Sequence, residues 1–153
     1  MYTTVLTLHS WLRWLALLAG IAATIAALRD NTPPPSSGPS NRWGLILTIT
    51  LDTQLLLGLL LYFVLSPTMA SIRENFGAAM KDPVARFWAV EHVTTMVVAV
   101  VLVHVGRVLG RKSTTADSRK MKLFFCFGIA TALMCLGIPW PGLRAGRPLF
   151  RGL

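Results

Sequence analysis

Residues 84–109 read VARFWAVEHVTTMVVAVVLVHVGRVL, and this stretch decides the fold class. It is dominated by valine, leucine and alanine, and at about 1.5 Å per residue it is long enough to cross a hydrocarbon layer of about 30 Å. Asp82-Pro83 just before it is a helix-start signal, because the aspartate caps free amides and proline tolerates the first turn. Three further apolar blocks, 2–28, 43–65 and 123–139, lie near or above the roughly 20 residues a crossing requires. The expectation is an all-α integral membrane protein: a four-helix bundle in the lipid bilayer, forming a single transmembrane domain over 1–153.

Composition agrees. Hydrophobic residues make up 54% of the chain and charged residues 14%, too apolar for the polar surface of a soluble domain. The formal net charge of +9 does not mark a nucleic-acid binder. The basic residues sit at the ends of apolar blocks, where cations anchor membrane helices, and no basic patch interleaves with exposed aromatics. Cys126 and Cys135 lie nine residues apart in one block. At roughly 100° per residue they fall on opposite helix faces and cannot form a disulfide with each other. The N-terminal block lacks a basic leader and carries Arg13 within it, so it reads as a retained helix, not a cleaved signal peptide.

The connections differ in kind. Residues 29–42 contain Pro33-Pro34-Pro35-Ser36-Ser37-Gly38-Pro39, a breaker-rich and flexible loop. Residues 67–83 place Met69, Ile72, Phe76 and Met80 on one helical face, the pattern of a short amphipathic helix lying in the membrane interface. Such a helix would shield the mouth of any site beside the third crossing. Residues 140–153 read as a polar tail. In the first block, Ala16, Gly20, Ala23, Thr24 and Ala27 form a small-residue stripe suited to close helix contact.

Basic residues give the orientation. One side carries Arg29 and Arg42 together with a crowd from Arg107 to Lys122, while the other carries Arg73, Lys81, Arg86, Arg144, Arg147 and Arg151. The positive-inside bias places the first side in the cytoplasm, and both termini in the periplasm of a bacterial inner membrane.

Ionisable side chains are costly within a membrane and mark function first. They are His9, Arg13, Asp52, Glu91, His92 and His104. His9 and His92 each lie seven or eight residues in from the same side, so both imidazoles sit roughly 10–12 Å below one surface. Level histidines on two helices meet the requirement of a bis-histidine haem, whose axial ligands oppose each other across the porphyrin. His104 lies twelve residues beyond His92, about 18 Å deeper, and cannot reach the same iron. It reads as a polar group near the inner interface or a quinone contact. Arg13 sits one turn below His9 and would pair with Glu91 or a haem propionate; Arg86, near the outer end of the third helix, is the better-placed propionate partner if the propionates point toward water. Asp52 is a proton-handling group or a packed hydrogen-bonding residue.

Leu8-His9-Ser10-Trp11-Leu12-Arg13-Trp14, Gln54…Gly58-Leu59…Tyr62-Phe63, Phe87…Glu91-His92 and Ile138-Pro139-Trp140-Pro141…Arg147-Pro148 together resemble short bacterial four-helix membrane proteins labelled cytochrome b. The resemblance spans nearly the whole chain and implies a site carried by His9, Arg13, Glu91 and His92. The resulting expectation is one haem b, with His9 and His92 on the iron and Arg13, Arg86 and Glu91 around it. Electrons would pass to or from a quinone or a partner redox protein. With both axial positions filled, the chain reads as a carrier or complex subunit more than a stand-alone enzyme. The alternative is a cofactor-free accessory subunit of a larger respiratory or photosynthetic complex. A proton-coupled transporter using Asp52 and Glu91 stands further off, since the helices lack mid-membrane Gly/Pro breaks.

Overall fold

In the computed structural model, which describes residues 1–33 and 38–150, the chain is all-helical, with no strand among the described residues. Four helices are long and apolar enough to cross a membrane. The first is α1, Tyr2–Arg29. The second is α2, Pro39–Leu60, running on into a π-helical turn at Leu61–Leu65. Two short helices follow, α3 at Pro67–Glu74 and α4 at Phe76–Ala79. The third long helix comprises α5 at Pro83–Arg86, a π-helical turn at Phe87–Glu91, and α6 at His92–Arg111. The fourth is α7, Ala116–Gly137.

Local chemistry sets these boundaries. The Asp82 carboxylate accepts from the Ala85 amide at 2.7 Å, with Pro83 in the first turn, as the sequence predicts. Ser66 and Pro67 start α3 in the same way. Two starts fall earlier than the apolar pattern suggests. α2 begins at Pro39 and not at 43, because Gly38 is extended and Pro39 is pre-set for a first helical turn. α7 begins at Ala116 and not at 123, because Thr115 caps the Ser118 amide and polar residues then fill the opening turns.

α1 packs against α2 and α7, and α6 also packs against α2 and α7, so α1 and α6 stand on a diagonal. The shared core holds Ala16, Ala23 and Ala27 of α1, Leu47 and Leu51 of α2, Ala99 and Val103 of α6, and Phe127, Ala130 and Met134 of α7. The small-residue stripe of α1 is buried along most of its length. Its role is sharpest at Gly20, where an added Cβ would lie 2.6 Å from Thr131 Oγ1 of α7.

The segment 67–83 departs from the single amphipathic helix expected. Asn75 adopts φ −142° and ψ 70°, breaking the helix and capping a new one through Ala78. The break rotates Phe76 out to an exposed position, while Met69 and Ile72 are buried against Ala89, Tyr62 and Trp88.

The expected flexibility of the proline-rich stretch at 34–37 lies outside the described residues. Its flanks are firmly held. Thr32 and Ser40 each donate both an amide and a hydroxyl to the buried carboxylate of Asp30. The buried Arg119 of α7 approaches that carboxylate at 3.6 Å and donates to Ser40 Oγ at 3.0 Å. Burial alone would raise the Asp30 pKa, but the Ser40 and Thr32 donors outweigh it and hold the value down at about 2. These two flanks are thereby clamped to each other and to the start of α7.

The tail also differs from a plain polar terminus. After α7 stops at Gly137, residues 138–150 fold back across the end of the molecule. Trp140 Nε1 donates to the Cys135 carbonyl at 2.8 Å, and the Arg147 amide donates to the Pro139 carbonyl at 3.0 Å. Gly146 makes this closure possible, since a Cβ there would sit 2.7 Å from the Trp140 carbonyl oxygen. Leu149 offers its carbonyl to Arg13 Nη2 at 2.7 Å and to Trp14 Nε1 at 3.3 Å. Phe150 stacks on Trp14 and tilts against Trp11.

Candidate cofactor site

Because α7 ends short of α1 and the third long helix, the space beyond its last turn is closed by the tail. A cavity of about 160 Å³ lies there. His9 and Arg13 of α1, Gln54 and Gly58 of α2, and His92 of α6 line it, with Arg147 and Pro148 of the tail. Most of the remaining wall is apolar.

His9 and His92 come from the diagonal pair of helices, and their ring centres lie 6.4 Å apart with planes inclined at 71°. Metal–imidazole bonds of about 2 Å on either side of one ion, plus about 1 Å from each nitrogen to its ring centre, give a separation of about 6 Å. The pair therefore has the spacing of two axial ligands. The π-helical turn at Phe87–Glu91 ends immediately before His92. Such turns insert an extra residue and re-aim the side chains that follow, and they occur often at functional sites.

Each ring is held from behind. His92 Nδ1 lies 2.7 Å from the Gly137 carbonyl oxygen. That carbonyl belongs to the last turn of α7 and has no amide within its own helix. His9 rests against α2 where there is little room for a side chain: a Cβ on Gly58 would come within 3.2 Å of His9 Cε1, tighter than ordinary contact. The His9 ring interacts with the Gln54 backbone, and the Gln54 amide nitrogen donates to the His9 carbonyl at 2.9 Å.

Two buried polar atoms on the cavity residues, Gln54 Oε1 and Trp88 Nε1, have no hydrogen bond of standard geometry among the described residues. Buried polar groups are ordinarily satisfied, so such atoms on residues lining one cavity point to a polar-bearing occupant. The paired imidazoles, the missing side chain at Gly58 and these two atoms fit a bis-histidine haem. His9 and His92 would hold its iron, and the apolar wall would take the macrocycle.

The other candidate residues named from the sequence are distributed unevenly. Arg13 lines the cavity, 5.0 Å from the Trp14 ring centre. Arg86 and Glu91 do not. They pair with each other at 2.7 Å, about half exposed, and face a separate shallow hollow beside Pro139 and Arg144. Glu91 precedes His92 directly, so on a helix its side chain is swung well away from the imidazole. His104 Nε2 meets Asp52 Oδ1 at 2.9 Å on the outer face of α2 and α6, away from the cavity. Arg107 reaches Thr48 nearby at 3.2 Å. Among the described residues no group of three or more His, Cys, Asp or Glu side chains is placed to hold a metal ion. A site made of two histidines and Glu91 is therefore not assembled.

Sequence reasoning passed over Gly58, Trp88 and the Gly137 carbonyl as parts of the site, and it left Arg147 to the tail. Pro139 was a usable signal, since a helix stopped by proline leaves carbonyls in need of donors. No family model, curated protein or solved structure matches the chain.

Proposed function

We propose that this protein is a membrane-embedded b-type cytochrome, a four-helix bundle carrying one haem b between His9 and His92. The observation that carries this reading is the 6.4 Å separation of the two imidazoles, presented by diagonal helices inside an apolar cavity. It agrees with the resemblance of the sequence to cytochrome b-like membrane proteins. When bound, the haem supplies one-electron redox chemistry. The chain's own residues do the rest. His9 and His92 would hold the iron between them, a pairing of two protein ligands that favours electron transfer over bond chemistry. The Gly137 carbonyl and the Gly58 backbone fix the two rings so that little reorganisation accompanies a change of charge. Met69, Trp88 and the tail keep water from the pair.

In this reading the protein spans a bacterial inner membrane with both termini in the periplasm, the site lies near that face, and α3 and α4 rest in the interface. Electrons pass to or from a quinone or a partner redox protein. The deciding experiment is the absorption spectrum of the full-length protein purified after expression with ample haem. A sharp reduced α band of a six-coordinate b-type haem is expected, and a colourless protein overturns the reading.

A second reading, an accessory subunit of a larger redox complex, draws on Asp52 and His104. Ionisable groups in membrane helices ordinarily face the protein interior, whereas this pair is about half exposed on the outer face. A neighbouring subunit covering it would resolve the mismatch. Co-purification of the intact complex from native membranes tests this reading, and a chain that migrates alone in native lipid counts against it.

A further inference from the structure

The cavity is apolar on most sides but not at the tail. Arg147 lies with its guanidinium 5.2 Å from the Trp88 ring centre, and both residues line the cavity. Trp88 Nε1 is buried there without an acceptor among the described residues. An indole N–H can only donate, and so can a guanidinium. Two donors, a buried indole N–H and a half-buried guanidinium, therefore stand together at the cavity wall. Burying an unmet donor is costly, and an anion accepting from it beside a cation would offset that cost. The planar fork of arginine matches a carboxylate in particular.

We infer that Arg147 and Trp88 form a carboxylate-binding subsite, so that the cavity's ligand is an amphipathic acid whose carboxylate lies beneath the tail. The inference rests on the haem reading and deepens it, since haem carries two carboxylates on one edge of an otherwise apolar disc. It moves the propionate contact from Arg86, which is occupied with Glu91, to Arg147. It also gives the tail a function: Gly146 and the Pro139–Arg147 hydrogen bond hold the arginine over the cavity. The tail thereby couples retention of the ligand to its own folding.

The test compares haem with its dimethyl ester, in which the carboxylates are masked, by titrating full-length apoprotein in detergent. Wild type should bind the free acid about tenfold to a hundredfold more tightly than the ester, the range expected of hydrogen bonds to a charged group. Arg147→Gln should remove most of that preference while leaving ester affinity unchanged. Trp88→Phe should reduce it by a smaller factor, and Arg147→Lys should restore part of it. Equal weakening of both forms by Arg147→Gln would show that the arginine only holds the tail. An acid preference that survives Arg147→Gln would place the carboxylate elsewhere. If neither form binds, the haem reading falls on its own. The subsite is then tested with oleate against methyl oleate, read by tryptophan fluorescence, and an absent or Arg147-independent preference for the acid overturns it.

Discussion

His92 Nδ1 and the Gly137 carbonyl oxygen lie 2.7 Å apart, joining α6 to the end of α7. A carbonyl oxygen has no proton to give, so Nδ1 must carry the hydrogen and Nε2 is left with its lone pair. The bond thus selects the tautomer that a ligating imidazole needs, and it fixes the direction of the ring.

Substitution of either proposed ligand, His9 or His92, should therefore act on the spectrum. His9→Ala or His92→Ala is expected to abolish the sharp reduced α band, and His104→Ala, on the outer face, to leave it nearly unchanged. Absorption spectra of the three variants, each checked for folding by circular dichroism, decide the matter. Loss of the band in His104→Ala alone would contradict the assignment.

Gly58 should behave as a shape requirement. A Cβ there would meet His9 Cε1 at 3.2 Å, tighter than ordinary contact, so Gly58→Ala should lower haem affinity severalfold and Gly58→Leu should abolish binding. Gly128 supplies the contrast, because a Cβ there meets only Thr24 Cγ2 at 3.6 Å. Gly128→Ala should be neutral or stabilising by up to about 1 kcal/mol through helix propensity. Haem titration and thermal unfolding of the variants measure the two effects. Normal binding by Gly58→Leu would mean that His9 is not held against α2.

The Asp30 clamp should make stability depend on pH at the acidic end. Its carboxyl is held at about 2, below its ordinary 3.8. Such a group contributes stability that is fully present above the ordinary value and is lost as pH falls through the folded one. Asp30→Asn should therefore cost on the order of 1–2 kcal/mol at neutral pH. Its deficit against wild type should shrink between about pH 4 and pH 2. Melting temperatures in detergent across that range provide the check, and a constant deficit would show that ionisation of Asp30 is not what the clamp uses.

The proposed orientation predicts a labelling pattern. In a background with Cys126 and Cys135 replaced by alanine, Ser71→Cys should react with an impermeant maleimide in spheroplasts, and Ser118→Cys only after permeabilisation. The reverse pattern would turn the protein over in the membrane. It would leave the His9/His92 pair intact, since both residues move together.

The sequence by itself determined the helical class, the four apolar stretches of membrane-crossing length, and the two histidines that meet. These features are local or periodic. Block length, the Asp82-Pro83 start and the depth of each histidine follow from position along a helix, and rise per residue converts them into space. Tertiary structure alone decided that α1 and α6 stand on a diagonal with their imidazoles facing, and that Gly137 ends α7 where its carbonyl meets His92. It also paired Arg86 with Glu91, and His104 with Asp52, and brought Arg147 back over Trp88. Each of these depends on how one helix is rotated about its axis relative to another, and on a tail folding back across the molecule. The π-helical turn at Phe87–Glu91 shifts that rotation by an amount that no regular periodicity records, which is why Glu91 was legible as a residue of interest while its direction was not.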